Sequence, residues 1–247
     1  MTKRVLITGA AKRIGRNIAL AFANEGASIA LHYNRSEGDA KSLAAEIEMN
    51  GGRAFLVKGN VAEVGEIERI VSDSVETLGG LDILINNVAV FSETPLEGVG
   101  EDEWNRFLDI NLRAPFFFSK YAAAHLKKSG TGRIINIADS YGLSPAAKYI
   151  PYGISKAGVI SMTKGLAKEL APDILVNCIC LGPVLKPNFA DGSKKDKDAE
   201  KDLQNAINAT LLKRQVETKD ITDTILMLTK NNSITGQAIF IDCGKSV

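Results

Sequence analysis

The chain has 247 residues, of which 45% are hydrophobic and 24% charged, as in a globular protein that buries its own core. Thirty basic against 29 acidic residues leave a net charge of +1, which argues against nucleic acid or an acidic membrane as a partner. The three cysteines form no CxxC pair and lie far along the chain from both histidines, so neither a disulfide framework nor a metal site is expected.

Cysteine usage and the first residues predict a cytoplasmic protein. Cys178, Cys180 and Cys243 are expected to be small, buried apolar side chains. The sequence opens on a strand at Arg4 with no signal-peptide apolar region before it. No apolar run reaches the roughly 18 residues that span a bilayer.

Short apolar runs alternate with helix-like segments along the chain. The runs begin at Arg4, Ser28, Arg53, Asp82, Arg133, Ile174 and Ala238. Their near-continuous apolar character is typical of strands covered on both faces, whereas residues 14–24, 39–50 and 67–78 have helical spacing. Seven such repeats without a Pro/Gly-rich linker predict a single domain over residues 1–247, a doubly wound (Rossmann) α/β fold with a seven-stranded parallel sheet.

One stretch, residues 186–202, interrupts this alternation. Its mixed charges and few apolar side chains predict an exposed loop or a frayed helix. The stretch follows the carboxyl end of the sixth strand, where ligands bind in such sheets. It is therefore either a solvated insertion or a mobile substrate lid, and we expect a substrate loop over residues 186–212.

The first strand runs into a glycine-containing turn, residues 8–15, with the sequence Thr-Gly-Ala-Ala-Lys-Arg-Ile-Gly. Glycine permits a tight turn and close backbone approach, and the start of the next helix offers free N–H groups to a pyrophosphate. The position of the turn, directly after the first strand, favours dinucleotide binding over a plain strand-to-helix connection.

The end of the second strand indicates which dinucleotide is bound. A free ribose 2′-OH usually meets an acidic residue here, whereas a 2′-phosphate is bound by a guanidinium and a hydroxyl. The strand end carries Arg35 and Ser36, and Glu37 comes only after them. This order favours NADPH, and the alternative is a solvent-facing arginine in a loop.

Tyr152 and Lys156 lie four residues apart, just after Pro151 at a predicted helix start. This spacing places both side chains on one helical face. A phenol has an ordinary pKa of about 10, and a nearby ammonium lowers it by stabilising the phenolate. The pair therefore predicts a phenol that transfers a proton near neutral pH.

With these features in place, the chain resembles the short-chain dehydrogenase/reductase family over essentially its full length. The matching residues are Thr8, Gly9, Gly15, Asn86, Asn87, Val88, Ala89, Asn111, Asn136, Tyr152, Lys156, Val176, Asn177, Thr235 and Gly236. The resemblance implies that Tyr152 is the general acid and that Lys156 holds the cofactor and tunes the pKa. It also implies a helix kink and a water-mediated proton relay at Asn111, and places Asn86 beside the cofactor.

The resemblance further implies a cofactor-binding set. Its members are Gly9, Arg13, Ile14, Gly15, Tyr33, Asn34, Arg35, Ser36, Asn60, Val61, Asn87, Val88, Ala89, Tyr152, Lys156, Gly182 and Val184. A homotetramer is also implied, with interfaces formed partly by helices over residues 104–127 and 152–170. The apolar run 114–118 in the first helix could equally be core.

One position departs from the family majority. The family usually has a serine 13 residues before the tyrosine, and this chain has Asp139, which is characteristic of pteridine reductases. Arg13, residues 32–36 and Phe91 also resemble that subfamily, in which the aromatic ring stacks on a pterin. The resemblance thus implies that Arg13, Phe91, Asp139 and Tyr152 bind substrate. Ser140 follows Asp139, but strand alternation predicts that it points away.

Other positions leave the substrate open. Ala89 replaces a serine common in pteridine reductases, Leu181 replaces a proline, Asn60 an aspartate and Cys243 a glycine. A 3-oxoacyl thioester reductase or another carbonyl reductase is the alternative enzyme, and Asp139 and Phe91 weigh against the thioester. A non-catalytic NADPH sensor on the same fold is disfavoured because Tyr152 and Lys156 are both present.

Overall fold

The computed structural model describes residues 2–185 and 196–247. All seven predicted strands form, as β1 (Arg4–Ile7), β2 (Ser28–Tyr33), β3 (Arg53–Lys58), β4 (Ile83–Asn86), β5 (Gly132–Asp139), β6 (Ile174–Leu181) and β7 (Ala238–Ile241). They make one sheet in the order β3-β2-β1-β4-β5-β6-β7, with every pairing parallel. The predicted doubly wound seven-stranded sheet is confirmed.

The helices between the strands cover both faces of the sheet. They are α1 (Arg13–Asn24), α2 (Glu37–Met49), α3 (Val64–Leu78), α4 (Glu101–Leu108), α5 (Ala114–Lys128), α6 (Ile150–Leu170), α7 (Asp196–Asn208) and α8 (Thr218–Lys230). A π-helical turn, Asp109–Arg113, joins α4 to α5, so residues 101–128 are helical throughout.

Strand alternation divides the core between the two faces. In β1, Val5 and Ile7 pack with residues of α1, α2 and α8, whereas Leu6 packs with residues of α3 and α5. All three side chains have no exposed surface, because a central strand is covered by helices on both sides. The edge strand β3 instead carries a mixture of buried, half-buried and exposed side chains.

The sheet fixes where a ligand can bind. Strand order reverses at β1, which pairs with β2 on one side and with β4 on the other. The connections that leave β1 and β4 therefore diverge to opposite faces, and a crevice opens at their carboxyl ends.

Two further expectations about the chain can be compared with the structure. Residues 196–208 form helix α7, which is one of the two alternatives, loop or helix, expected for residues 186–202, and the side chain of Ala199 is 3% exposed. Residues 186–195 of the predicted substrate loop lie outside the described residues. Cys178 and Cys180 are buried as expected, but Cys243 is partly exposed with a left-handed φ of 55°, because it lies in a tight turn after the edge strand β7.

Candidate active site

The turn between β1 and α1 requires glycine at two positions. Gly9 has a left-handed φ of 64°, and a Cβ at Gly15 would lie 2.2 Å from the Gly9 carbonyl oxygen. Arg13 is also left-handed, at φ 54°, which is uncommon for a residue other than glycine. Because Lys12 makes no side-chain cap, the first backbone N–H groups of α1 lack a side-chain acceptor before the helix.

Hydrogen bonds tie this turn to the loop that follows β4. The Thr8 hydroxyl accepts from the backbone N–H groups of Asn87 at 2.8 Å and Val88 at 3.2 Å. The Asn87 amide in turn donates to the carbonyls of Thr8 at 2.9 Å and Gly9 at 3.1 Å. The two loops at the crevice are thereby held as one unit.

His32 also fixes the turn, and sequence reasoning cited it only as part of the segment 32–36. Its Nδ1 accepts from the Gly9 N–H at 3.1 Å, so its Nε2 carries the proton and donates to the Gly59 carbonyl, also at 3.1 Å. Burial lowers the pKa of His32 to about 4. A polar residue inside a fully buried strand was the signal that could have identified it.

The end of β2 presents a polar surface beside the turn. Asn34 and Arg35 are exposed and Ser36 is half-buried, whereas the Tyr33 ring is buried against Ala11 and Ala40. Asn60 follows β3, and its Oδ1 lies 3.5 Å from the Nδ2 of Asn34. Val61, in contrast, is 5% exposed and belongs to the core.

Residues Asp109–Arg113 form the π-helical turn, at the position where a kink at Asn111 was expected. Inside the turn, the Asn111 amide accepts from Val90 N at 2.8 Å and donates to Val90 O and the Ser155 hydroxyl, both at 3.1 Å. These bonds fix the loop after β4 against α6. A π-turn within a helix is frequent at functional sites.

The Asn86 side chain was expected to lie beside the cofactor, but it does not lie in the crevice. It is 5% exposed, and its amide donates to the Asn136 side chain at 2.8 Å. The Asn136 amide in turn donates to the Thr163 hydroxyl at 2.9 Å. The two hydrogen bonds join β4, β5 and α6. The alternation of side chains along β4 directs Asn86 into the helical layer.

Asp139 and Tyr152, 13 residues apart in sequence, form a direct hydrogen bond. Asp139 is the last residue of β5, and its Oδ2 accepts from the Tyr152 hydroxyl at 2.9 Å. Its Oδ1 accepts from the backbone N–H of Tyr141 at 2.8 Å. Burial raises the pKa of Asp139, so the carboxyl stays protonated to higher pH than an exposed aspartate.

Ser140, the neighbour of Asp139, is 1% exposed, and its hydroxyl lies 3.4 Å from Asp139 Oδ1. It donates to Asp139 rather than to the crevice. It therefore supports the carboxyl group and does not replace the family serine.

The predicted effect of Lys156 on Tyr152 is wrong in this structure. Burial, together with the Asp139 carboxyl, raises the pKa of Tyr152 well above 10. The Lys156 ammonium donates to the Ile137 carbonyl at 2.8 Å and lies 5.7 Å from the centroid of the Tyr152 ring. Burial also lowers the pKa of Lys156 to about 8. Tyr152 therefore keeps its proton to a higher pH than a free phenol does.

Phe91 lies at the site in an aromatic group with Tyr141, Tyr149 and Tyr152. Its ring stacks on Tyr149 with a centroid distance of 4.7 Å and meets Tyr152 edge to face at 4.9 Å. Tyr141 stacks on the other side of Tyr149 at 5.4 Å. These rings form an aromatic wall next to the Tyr152 hydroxyl, and such a wall suits a planar substrate.

The remaining predicted residues follow the strands that end at the crevice or lie in α1. Gly182 and Val184 follow β6, Ile14 is the second residue of α1, and Ala89 is exposed on the loop after β4. At Gly182 a Cβ would lie 2.5 Å from the Asp242 backbone, so the chain leaves the sheet in close contact with the C-terminal turn. All predicted site residues lie in the described part of the chain.

The geometry fits a dinucleotide. Gly9 and Gly15 leave no room for a Cβ, Lys12 does not cap the first N–H groups of α1, and exposed Arg35 follows the adjacent strand. A proton-donating phenol and a carboxyl group lie at the other end, on α6 and β5. Among the described residues, no group of three or more His, Cys, Asp or Glu side chains could hold a metal ion.

Comparisons with known proteins agree with this geometry. A family model described as enoyl-(acyl carrier protein) reductase matches residues 9–246. The chain is 32% identical over 247 residues to the 3-oxoacyl-[acyl-carrier-protein] reductase FabG of Staphylococcus aureus, covering 99% of this chain and 98% of that protein. The chain belongs to the short-chain dehydrogenase/reductase family. Its prediction as an oxidoreductase of this family is confirmed.

Solved structures of family members superimpose closely. FolM alternative dihydrofolate reductase 1 from Brucella suis, in complex with NADP, has a TM-score of 0.90 at 28% identity, covering 99% of this chain and 95% of that one. A short-chain dehydrogenase from Burkholderia cenocepacia, also in complex with NADP, has a TM-score of 0.89 at 31% identity, covering 99% of this chain and 98% of that one.

The described residues include no helix long and apolar enough to cross a membrane.

Proposed function

We propose that this protein uses NADPH to reduce a C=N or C=O bond of a small molecule, with a dihydropteridine as the first-choice substrate. The observation that carries this proposal is the 2.9 Å hydrogen bond from the Tyr152 hydroxyl to Asp139, at the position where the family usually has serine. A carboxyl that remains protonated can donate to a pteridine nitrogen.

NADP(H) is the cofactor. The Brucella and Burkholderia relatives are NADP complexes, and exposed Arg35 with half-buried Ser36 supplies the guanidinium and hydroxyl that a 2′-phosphate needs. When bound, NADPH supplies the hydride. The backbone of the Gly9–Gly15 turn would hold the pyrophosphate, and Lys156 would hold the nicotinamide ribose.

The protein's own part in the reaction is proton delivery and orientation. Hydride addition leaves negative charge on the substrate heteroatom, and the buried Tyr152 hydroxyl donates a proton to it. Asp139, held by the Tyr141 N–H at 2.8 Å, orients the phenol and donates to the substrate in its protonated form. Phe91, whose ring meets Tyr152 edge to face at 4.9 Å, and Arg13 at the start of α1 are the further substrate contacts.

A second candidate is a 3-oxoacyl-[acyl-carrier-protein] reductase. The likeness to FabG of Staphylococcus aureus, at 32% identity over nearly the whole chain, favours it. The family resemblance implies a serine at position 139 in such enzymes. The chain has aspartate there, and this difference makes the thioester the second choice.

A comparison of substrates separates the two candidates. We would measure NADPH oxidation by the purified protein with 7,8-dihydrobiopterin, 7,8-dihydrofolate, a quinonoid dihydropterin and acetoacetyl thioesters. The proposal expects a higher kcat/KM for a dihydropterin than for any thioester. The reverse order would favour the FabG-like function, and no oxidation with either class would refute both.

The assembly and location of the protein belong to the same proposal. We infer a cytoplasmic homotetramer in which α5 and α6 contribute interfaces, and a substrate-binding role for residues 186–212. An apolar groove of about 680 Å³ between the π-turn, α5 and α6 supports the interface. Its lining includes Leu112, Phe116, Met162 and Leu166.

A further inference from the structure

The C-terminal turn after β7 presents a lysine to the active site. Asp242 is 5% exposed, and its carboxylate accepts from the N–H groups of Gly244 and Ser246, both at 2.9 Å. Cys243 and Gly244 are left-handed, at φ 55° and 77°. The turn is anchored to the chain before α8 by the Leu212 N–H, which donates to the Cys243 carbonyl at 3.1 Å. The backbone of Lys245 is therefore fixed.

Lys245 points from this turn to the aromatic wall. Its ammonium lies 3.9 Å from the centroid of the Tyr141 ring, within range for a cation–π interaction. The residue is half-buried, and burial lowers its pKa. A desolvated cation interacts more strongly with nearby charges than a cation on an exposed surface does.

Tyr141 connects Lys245 to the reacting groups. Its backbone N–H donates to Asp139 Oδ1, and its ring meets Tyr152 edge to face at a centroid distance of 6.3 Å. Asp139 in turn accepts the Tyr152 hydroxyl. A charge that holds the Tyr141 ring therefore acts on both the position and the protonation of Asp139.

We propose that Lys245 is a positioning residue that acts on the reaction through Tyr141 and Asp139. This inference rests on the proposed function, in which Asp139 donates to the substrate. The groups that face Asp139 are Tyr152 and Lys156 from α6, Ser140 and Tyr141 after β5, Cys180 from β6, and Lys245 from the C-terminal turn. Among the residues that the structure describes, Lys156 and Lys245 favour its carboxylate form.

The test removes the charge of Lys245 while keeping the length of the side chain. In Lys245→Met, Asp139 loses a cation that favours its ionised form, so the limb of the kcat/KM profile that reports Asp139 shifts to higher pH. Lys245→Arg keeps the charge and restores the wild-type profile. Lys148→Met is the matched control, because Lys148 is exposed and its ammonium lies 3.5 Å from Glu93.

A second readout does not depend on turnover. The Asp139 carboxyl is followed by carbon-13 NMR in aspartate-labelled protein and assigned by its loss in Asp139→Asn. Its titration midpoint moves upward in Lys245→Met and remains in place in Lys148→Met. If Lys245→Met does not fold, Lys245→Gln removes the same charge.

Equal Asp139 midpoints in the wild type and the charge-removed variant would overturn the role of Lys245. A protein that reduces no substrate, but whose Asp139 midpoint still moves in Lys245→Met, refutes the proposed function while supporting the electrostatic link between Lys245 and Asp139.

Discussion

Tyr152 is 6% exposed, and its hydroxyl donates a hydrogen bond to Asp139 Oδ2 at 2.9 Å. Burial and the carboxyl group both hold that proton on the phenol. Tyr152 thus carries a proton next to the place where we propose that negative charge develops on the substrate.

Tyr152→Phe removes this proton donor and leaves the ring in place. We expect kcat to fall by roughly 10²–10⁴-fold. NADPH affinity should change little, because the Gly9–Gly15 turn and Arg35 are untouched. Steady-state kinetics and a fluorescence titration with NADPH measure the two effects. Turnover at the wild-type rate would show that Tyr152 is not the acid.

Single residues show what sequence reasoning could reach. The i,i+4 spacing identified Tyr152 and Lys156, and the family resemblance identified Asp139; the structure places Tyr152 and Asp139 in direct contact. The direction of the Tyr152 pKa shift was predicted wrongly, because it depends on burial and on the carboxyl of Asp139 from β5. Lys245 lies 104 positions after Tyr141, and no local pattern shows that their side chains meet.

At the level of elements, the turn between β1 and α1 is the most constrained part of the cofactor site. Gly15→Ala places a Cβ 2.2 Å from the Gly9 carbonyl oxygen. We expect a loss of about 1–3 kcal/mol in the free energy of unfolding, together with weaker NADPH binding, because the turn must open.

Gly38→Ala is the matched control for Gly15→Ala. Gly38 lies in α2, where a Cβ would meet nothing within 4 Å. This variant should gain about 0.5–1 kcal/mol in stability and bind NADPH normally. Equal stability and equal NADPH affinity in both variants, measured by thermal unfolding and titration, would contradict the assigned turn.

The connection between β2 and α2 sets the choice between NADPH and NADH. Arg35→Asp removes the guanidinium and adds a charge that repels a 2′-phosphate. The preference for NADPH should be abolished or reversed, with a loss of about 1.5–3 kcal/mol in NADPH binding. Calorimetric titration with both cofactors measures this loss. Equal affinities for NADPH and NADH in the unmutated protein would refute the assignment.

Elements were predicted better than their ends and interruptions. Of the predicted strand starts, those at Arg4, Ser28, Arg53, Ile174 and Ala238 coincide with the observed ones, because buried parallel strands have a strong apolar signal. The charges of residues 186–202 left a loop and a frayed helix open, and residues 196–208 form a helix with Ala199 buried. The pattern of charge alone did not reveal that one face is covered.

At the scale of the whole molecule, the α5 and α6 surface tests the proposed assembly. The apolar run 114–118 was compatible with an interface or with core. Within it, Phe116 is 43% exposed and Phe118 is buried. Phe116→Glu places a charge in the apolar groove and should convert a tetramer into smaller species, because an unpaired buried charge is costly. Light scattering at micromolar concentration measures this. A wild-type monomer would refute the assembly.

The fold of the whole chain follows from its alternating pattern, but the substrate does not, because relatives with the same sheet carry different names. The FolM structure of Brucella suis and the FabG protein of Staphylococcus aureus each match 99% of the chain, at 28% and 32% identity. Identity over the whole chain therefore does not decide the substrate, and the few side chains around Tyr152 must.

The most direct test of the account is the kcat/KM of Asp139→Ser for a dihydropterin and for an acetoacetyl thioester, across pH. Burial raises the pKa of Asp139, so we expect wild-type dihydropterin reduction to fall as pH rises through that pKa. The variant should bind NADPH normally, lose dihydropterin turnover and retain or gain thioester reduction without this fall. Unchanged dihydropterin activity and an unchanged pH profile would contradict the central role of Asp139.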